Sequence, residues 1–173
     1  NTFHALKVAF ANEIGNLCKK LGLDSHELMH IFLSDTKLNI SPSYFWPGTA
    51  YGGSCLPKDL KALQTLSRSN NLVSPIIESV SVSNSNHLQK IYDLVISKEK
   101  KRIGLYGITF KKGTDDLRSS PGLDLYNKLL DSGFSVKVFD YDLKINETIG
   151  NNKLQISEHS ALKDNLVYKI QDL

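Results

Sequence analysis

Three stretches decide how the second half of the chain folds: Ile103-Gly104-Leu105-Tyr106-Gly107-Ile108-Thr109, the run 121–132 (PGLDLYNKLLDS), and Ser135-Val136-Lys137-Val138-Phe139. The outer two are short apolar runs and read as strands, the first of them buried. The middle one reads as a helix that Gly133 ends. Strand, helix, strand in that order is the βαβ pattern and implies a parallel sheet. A third strand is expected to start at 154–156. Just upstream, Ser97–Arg102 is a charged run, and there the apolar period changes from helical to alternating. A domain boundary is expected at that run, with residues 1–97 before it and 102–173 after it.

Toward the N-terminus the signals are helical. Phe3, Leu6, Phe10, Ile14, Leu17 and Leu21 recur at three- and four-residue steps and read as one face of an amphipathic helix over 2–22, ended by Gly22. Asp24 and Glu27 form a capping-box pattern that opens a helix over 25–33. Pro57 suits the first turn of a helix over 57–69, and a longer one follows Ser74-Pro75 over 75–97. Between them, residues 35–54 hold Pro42, Pro47, Gly48, Gly52 and Gly53 and read as a long loop, which in a compact domain is usually functional.

Composition narrows the class. The chain has 173 residues, 40% hydrophobic and 23% charged, enough to bury a core. A net charge of +3 without a basic stripe argues against nucleic acid as a partner. No apolar run approaches membrane-spanning length, and no secretory signal peptide is expected. Two cysteines, Cys18 and Cys55, make no disulfide framework, so the reducing cytoplasm is expected. The sequon Asn146-Glu147-Thr148 has nothing else in the sequence to support glycosylation. The chain starts at Asn1 within a helical pattern, and is expected to be a fragment cut at both ends.

The chemistry concentrates in Tyr51-Gly52-Gly53-Ser54-Cys55-Leu56-Pro57-Lys58-Asp59. A cysteine at a helix start faces unpaired N–H groups and the positive end of the helix dipole, and both favour a thiolate. Lys58 adds positive charge nearby, Gly52 and Gly53 allow close backbone approach to a ligand, and Asp59 offers a carboxylate within the same turn. Cys18, on the face of Ile14 and Leu21, reads as core. The run His26-Glu27-Leu28-Met29-His30 satisfies the zinc pattern His-Glu-x-x-His literally. Glu27 is already explained as the partner of Asp24, and no glutamate lies between 27 and 78 to complete a site, so no metal is expected.

The loop YGGSCLPKD resembles the active-site loop of the UDP-glucose/GDP-mannose dehydrogenase family of nucleotide-sugar 6-dehydrogenases. Residues 1–14 (NTFHALKVAFANEI) resemble that family's long central helix, Ser83-Asn84-Ser85-Asn86 the helix that follows, and residues 107–121 (GITFKKGTDDLRSSP) the first loop of its C-terminal domain. The resemblance implies fold class α+α/β, a helical central dimerisation domain followed by a truncated Rossmann-like α/β nucleotide-sugar-binding domain. It implies NAD-dependent, four-electron oxidation of a sugar C6 alcohol to a carboxylate through a cysteine thiohemiacetal and thioester. FHALKVAFANEIGN, KLNIS and GTDDLRSSP point to GDP-mannose as substrate, with UDP-glucose the alternative.

By that resemblance Cys55 is the nucleophile, Asp59 positions or activates water, Asn1 stabilises the oxyanion, and Lys58 sits near thiolate and cofactor. Substrate contacts fall on Asn39, Tyr44, Tyr51, Gly52, Phe110 and Lys111. His4 and Lys7 join them from the central helix, His4 matching a residue that reaches the partner subunit's site. Arg118 matches a cofactor contact. Trp46 departs from the pattern, since relatives carry a basic residue there. A tryptophan cannot pair with a phosphate, although its face can stack on a base or sugar. No Gly-x-Gly-x-x-Gly occurs, so the chain alone is expected neither to bind NAD well nor to turn over. A homodimer through the central helices is expected. The rival outside enzymology is a non-catalytic dimerisation or nucleotide-binding module.

Overall fold

The computed structural model describes residues 1–37, 39, 41–143 and 160–173. The chain forms two compact units, Asn1–Tyr51 with Cys55–Gln89 and Gly52–Ser54 with Lys90–Leu173. The first is helical and the second is α/β, so the fold class is the one expected.

The helical unit contains α1 (Thr2–Leu21), α2 (Ser25–Leu33), α3 (Leu56–Ser69) and most of α4 (Pro75–Ile96). Local chemistry sets their ends. Gly22 adopts φ 70°, and Leu23 N–H then reaches back to the Cys18 carbonyl at 2.9 Å, closing α1. Asp24 Oδ1 accepts from His26 N–H and Glu27 N–H, capping α2.

The expected apolar face of α1 is not the face it buries in this chain. Ala5, Ala9, Ala11, Asn12 and Cys18 are buried, whereas Phe3, Phe10, Leu17 and Leu21 stay 41–63% exposed. The reason is size. Ala5 and Ala9 meet Leu60 of α3 and Val80 of α4 in one core cluster, and small side chains let helices approach closely. The larger residues of α1, with Leu28, Ile31 and Phe32 of α2, leave an exposed apolar surface.

The α/β unit contains β1 (Arg102–Tyr106), α5 (Pro121–Asp131), β2 (Ser135–Phe139), α6 (Ser160–Asn165), β3 (Leu166–Val167) and a final 3-10 turn, Ile170–Asp172. The strands run parallel in the order β1-β2-β3, with Arg102 beside Ser135 and Val138 beside Leu166. The strand expected at 154–156 lies outside the described residues, as does the sequon. Ile108, Leu117, Leu129, Val136, Val138, Leu143 and Leu162 are almost wholly buried.

Two expectations are corrected here. β1 ends at Tyr106 rather than Thr109, because Gly107 takes φ 84° and the next two amides turn to the Asp140 carboxylate. β1 is also not buried on both sides, since Gly104 and Tyr106 are exposed while Ile103 and Leu105 are half-buried. The compact units divide between Gln89 and Lys90, inside α4. Tyr92 lies past that division: its hydroxyl is 2.7 Å from Ser132 Oγ, and Lys128 Nζ sits 4.7 Å from its ring centre. The last turns of α4 are thereby tied to α5.

Candidate active site

Cys55 stands at the N-cap of α3, exposed, with Pro57 in the first turn. Its carbonyl accepts from Asp59 N–H at 2.9 Å, so Asp59 lies one turn on, along the same helix face. The Asp59 carboxylate is the meeting point of the site. Asn1 Nδ2 donates to Oδ2, and Lys58 Nζ lies 3.7 Å from Oδ1. The Asn1 bond first, and the Lys58 charge to a smaller degree, hold the Asp59 carboxyl below its ordinary value. Lys58 thus directs its ammonium at Asp59. Of the four expected catalytic residues, Asn1 and Lys58 therefore both meet Asp59, one turn on from Cys55. Cys18 is buried, as expected, although Leu21, assigned to the same face, is 62% exposed.

Loop 48–51, just ahead of the cysteine, is held by three polar residues of the helices. Asn12 is 2% exposed; its amide donates to Thr49 O at 3.2 Å and accepts from Gly48 N–H at 3.0 Å. Asn84 accepts from Tyr51 N–H at 2.8 Å and donates to Tyr51 O at 3.0 Å. His87 Nδ1 faces Asn16 Nδ2 at 3.1 Å, and its Nε2 faces Gly48 O at 2.7 Å. That pairing assigns the tautomer with the proton on Nε2. Tyr51 itself packs against the core cluster, and burial pushes its phenol up to about 12, so it stays a neutral phenol at working pH.

The next three residues, Gly52–Ser54, belong to the α/β unit. Gly53 N–H donates to Ser119 O at 3.1 Å, and Gly53 adopts φ 85° beneath the ring of Phe110. A Cβ on Gly52 would collide with Ser119 O and Pro121. The glycine pair is therefore required by close approach, but the group approached is the chain's own loop, the one that carries Phe110 and Lys111, and not a ligand. Lys111 is exposed, with its ammonium 5.4 Å from the Phe110 ring centre. Arg118 forks onto Asp116, with Nη2 2.7 Å from Oδ2, and this pairing lowers the Asp116 carboxyl.

The remaining expected contacts cluster on α1 and its loop. His4 stacks on Tyr44 with ring centres 4.6 Å apart, and His4 Nδ1 is buried with no hydrogen-bond partner among the described residues. Tyr44 has φ 70°, a costly conformation for an aromatic residue. Lys7 Nζ lies 4.8 Å from the centre of Phe45 and 5.0 Å from that of Phe3. Asn39 Nδ2 donates to Phe32 O at 3.2 Å. Trp46 does not present a clear face: His26 stacks on it at 5.9 Å and His30 meets it edge-on at 5.3 Å. Both histidines of the zinc-like run thus contact one tryptophan, and among the described residues no three His, Cys, Asp or Glu side chains are grouped to hold a metal.

Sequence reasoning missed Asn12, Asn84, His87 and Asp140 as holders of these loops. One signal was available. Asn12 follows Ala5 and Ala9 on the buried stripe of α1, and a buried amide needs partners.

Comparison with known proteins identifies the family. Residues 1–86 match the model of the UDP-glucose/GDP-mannose dehydrogenase family, central domain, and residues 104–167 match that of the same family's UDP binding domain. A GDP-mannose 6-dehydrogenase of Pseudomonas aeruginosa is 44% identical over 153 residues, covering 88% of this chain and 35% of that protein. The crystal structure of a ternary complex of GDP-mannose dehydrogenase from P. aeruginosa superposes with TM-score 0.73 at 41% identity, over 99% of this chain and 40% of that one. A UDP-glucose dehydrogenase of the archaeon Pyrobaculum islandicum superposes with TM-score 0.82 at 31% identity, over 98% and 37%. The chain thus spans little more than a third of the length of these relatives. Among the described residues no helix is long and apolar enough to cross a membrane. The chain belongs to the UDP-glucose/GDP-mannose dehydrogenase family.

Proposed function

We propose that this chain is the catalytic-cysteine and nucleotide-sugar-binding portion of an NAD-dependent GDP-mannose 6-dehydrogenase acting in the cytoplasm. The observation that carries the reading is the turn at the start of α3, where exposed Cys55 shares a helix face with an Asp59 carboxylate bound by Asn1 and Lys58. The family's relatives include both GDP-mannose and UDP-glucose 6-dehydrogenases. GDP-mannose is preferred because the relatives bearing that name reach the higher identity, 44% against 40%.

The described residues build no dinucleotide cradle, since β1 leads into the loop 107–120 and not into a tight glycine turn opening a helix. NAD, when bound, would supply the oxidant for both oxidations, with Lys58 and Arg118 the residues of this chain that would face it. The chain's own part is covalent catalysis. Cys55 Sγ attacks the C6 aldehyde carbon; a C–S bond forms and the carbonyl electron pair moves to oxygen, where the Asn1 amide donates. After the second oxidation the sugar is a thioester. Water adds to its carbonyl carbon, Asp59 takes the water proton, and the C–S bond breaks with Cys55 leaving as thiolate. His4, Lys7, Asn39, Tyr44, Tyr51, Gly52, Phe110 and Lys111 hold the nucleotide sugar.

The exposed apolar residues of α1 and α2 support dimerisation through the central helices. Sedimentation of the full-length protein tests this: Phe10→Glu should shift it toward monomer, and an unmoved monomer–dimer balance would remove these helices from the interface.

The decisive experiment follows NADH formation by the full-length protein with GDP-mannose and with UDP-glucose, beside Cys55→Ser. Two NADH per GDP-mannose, lost in the variant, is the expected result. The same stoichiometry with UDP-glucose alone would keep the mechanism and replace the substrate. Activity untouched in the variant, or absent with both sugars, would reopen the non-catalytic binding module.

A further inference from the structure

The loop that displays Phe110 and Lys111 is pinned at both ends by acceptors at and just past the end of β2. Gly107 N–H donates to Phe139 O at 2.8 Å. Asp140 Oδ2 accepts three bonds: from Ile108 N–H at 2.7 Å, Thr109 N–H at 2.9 Å and Thr109 Oγ1 at 3.1 Å. Asp142 Oδ2 accepts from Gly113 N–H at 2.6 Å, closing the far end. The two acids are themselves linked, because Asp140 Oδ1 accepts from Asp142 N–H at 2.9 Å.

Asp140 is 9% exposed, and a buried carboxylate is costly unless its lone pairs are satisfied. Here both oxygens are used, entirely by loop and main-chain donors. A neutral amide in its place has one acceptor oxygen and cannot serve both sides. Thr109 carries the link onward, since its hydroxyl also lies 3.3 Å from the Lys111 carbonyl. The single hydroxyl proton is shared between the Asp140 carboxylate and the main chain of Lys111. The lysine side chain is exposed, so its placement depends on its backbone being held.

We propose that Asp140 is a positioning residue for nucleotide-sugar binding, acting through Thr109 on Lys111. This rests on the reading of Lys111 as a substrate contact. Asp140 acts through the main chain and not on the substrate, its oxygens being taken by Ile108, Thr109 and Asp142. It fixes the backbone from which the Lys111 ammonium meets the diphosphate.

Steady-state kinetics of the full-length protein tests it with four proteins: the parent, Asp140→Asn, Lys111→Ala and the double variant. Asp140→Asn is expected to raise KM for the nucleotide sugar about tenfold, the loss of one charge-assisted bond, with a much smaller fall in kcat. Lys111→Ala is expected to raise the same KM, and the double variant to be no worse than Lys111→Ala alone. A KM effect of Asp140→Asn that multiplies fully with that of Lys111→Ala, or a loss confined to kcat and thermal stability, would reduce Asp140 to a structural residue. Lys111→Ala with an unchanged KM would overturn the substrate reading of Lys111, and the positioning role with it. Should Asp140→Asn not fold, Thr109→Val removes only the hydroxyl link. It is expected to raise KM about threefold, again without adding to Lys111→Ala, and full additivity there overturns the proposal equally.

Discussion

A methyl group placed on Gly53 would lie 2.6 Å from the ring of Phe110, and Gly53 already holds φ 85°. Two residues 57 positions apart, by their own numbers, are thus in close contact two residues before Cys55. Gly53→Ala would add left-handed strain and a collision together. Its expected cost is roughly 1–3 kcal/mol in urea unfolding, with a matching loss of Cys55-dependent turnover. Gly48 lacks both features, having nothing within 4 Å of its would-be Cβ. Equal stability losses in Gly53→Ala and Gly48→Ala would show that Phe110 does not confine the loop.

Asn84 grips Tyr51 by both main-chain groups, and Asn12 does the same between Gly48 and Thr49. Truncating either to alanine leaves part-buried peptide groups unsatisfied. Each change is expected to lower stability by about 1–3 kcal/mol. Thiol-reagent kinetics provides the second readout: in Asn84→Ala the rate at Cys55 should change, because the loop leading to it is loosened. An unaltered unfolding midpoint would mean that water replaces the amide at no cost.

If Asp59 takes the proton from the attacking water, Asp59→Asn should stall hydrolysis and not the first attack. The slowing expected from losing a general base is on the order of 10²–10⁴-fold. The thioester on Cys55 should then accumulate and appear by mass spectrometry as a sugar-nucleotide adduct. Asp59→Asn that turns over at the parent rate would remove Asp59 from the chemistry.

Several carboxylates are held below their ordinary values. Amides of Glu27 and His26 do this for Asp24, the Asn1 side chain for Asp59, the Arg68 fork for Glu78, and the Arg118 fork for Asp116. A depressed folded-state value contributes stability that is whole above the unfolded value, about 4 for such groups, and is lost as pH falls through the folded value. The melting temperature should therefore be level from about pH 7 to 5 and fall below about pH 4. Arg68→Ala removes the largest cause acting on Glu78 and should make the acid limb shallower. The same acid limb in parent and variant would show that this exposed pair contributes nothing, as many surface pairs do.

The ends of the elements were legible because they are written in local chemistry. Gly22, Asp24, Pro57, Pro75 and Gly133 each act within a turn of their own position, and the observed helices begin or stop within a residue or two of them. The cysteine turn was legible for the same reason: Cys55, Lys58 and Asp59 fall within five residues, so their grouping follows from helical geometry alone.

Folding in three dimensions made the remaining choices. Periodicity assigned α1 an apolar face, but its alanines won the contact with Leu60 and Val80 because only small residues admit that spacing. The partners of the loop lie far along the chain, with Asn84 33 residues from Tyr51 and Asn12 36 from Gly48. Asp140 likewise meets Ile108 across 32 residues. Such pairs carry no spacing rule, because the distance between them is set by packing and not by the pitch of one helix or strand. A local signal can name the thiol and the acid. Where the backbone around them stands depends on buried amides and a carboxylate whose partners come together only when each unit has folded.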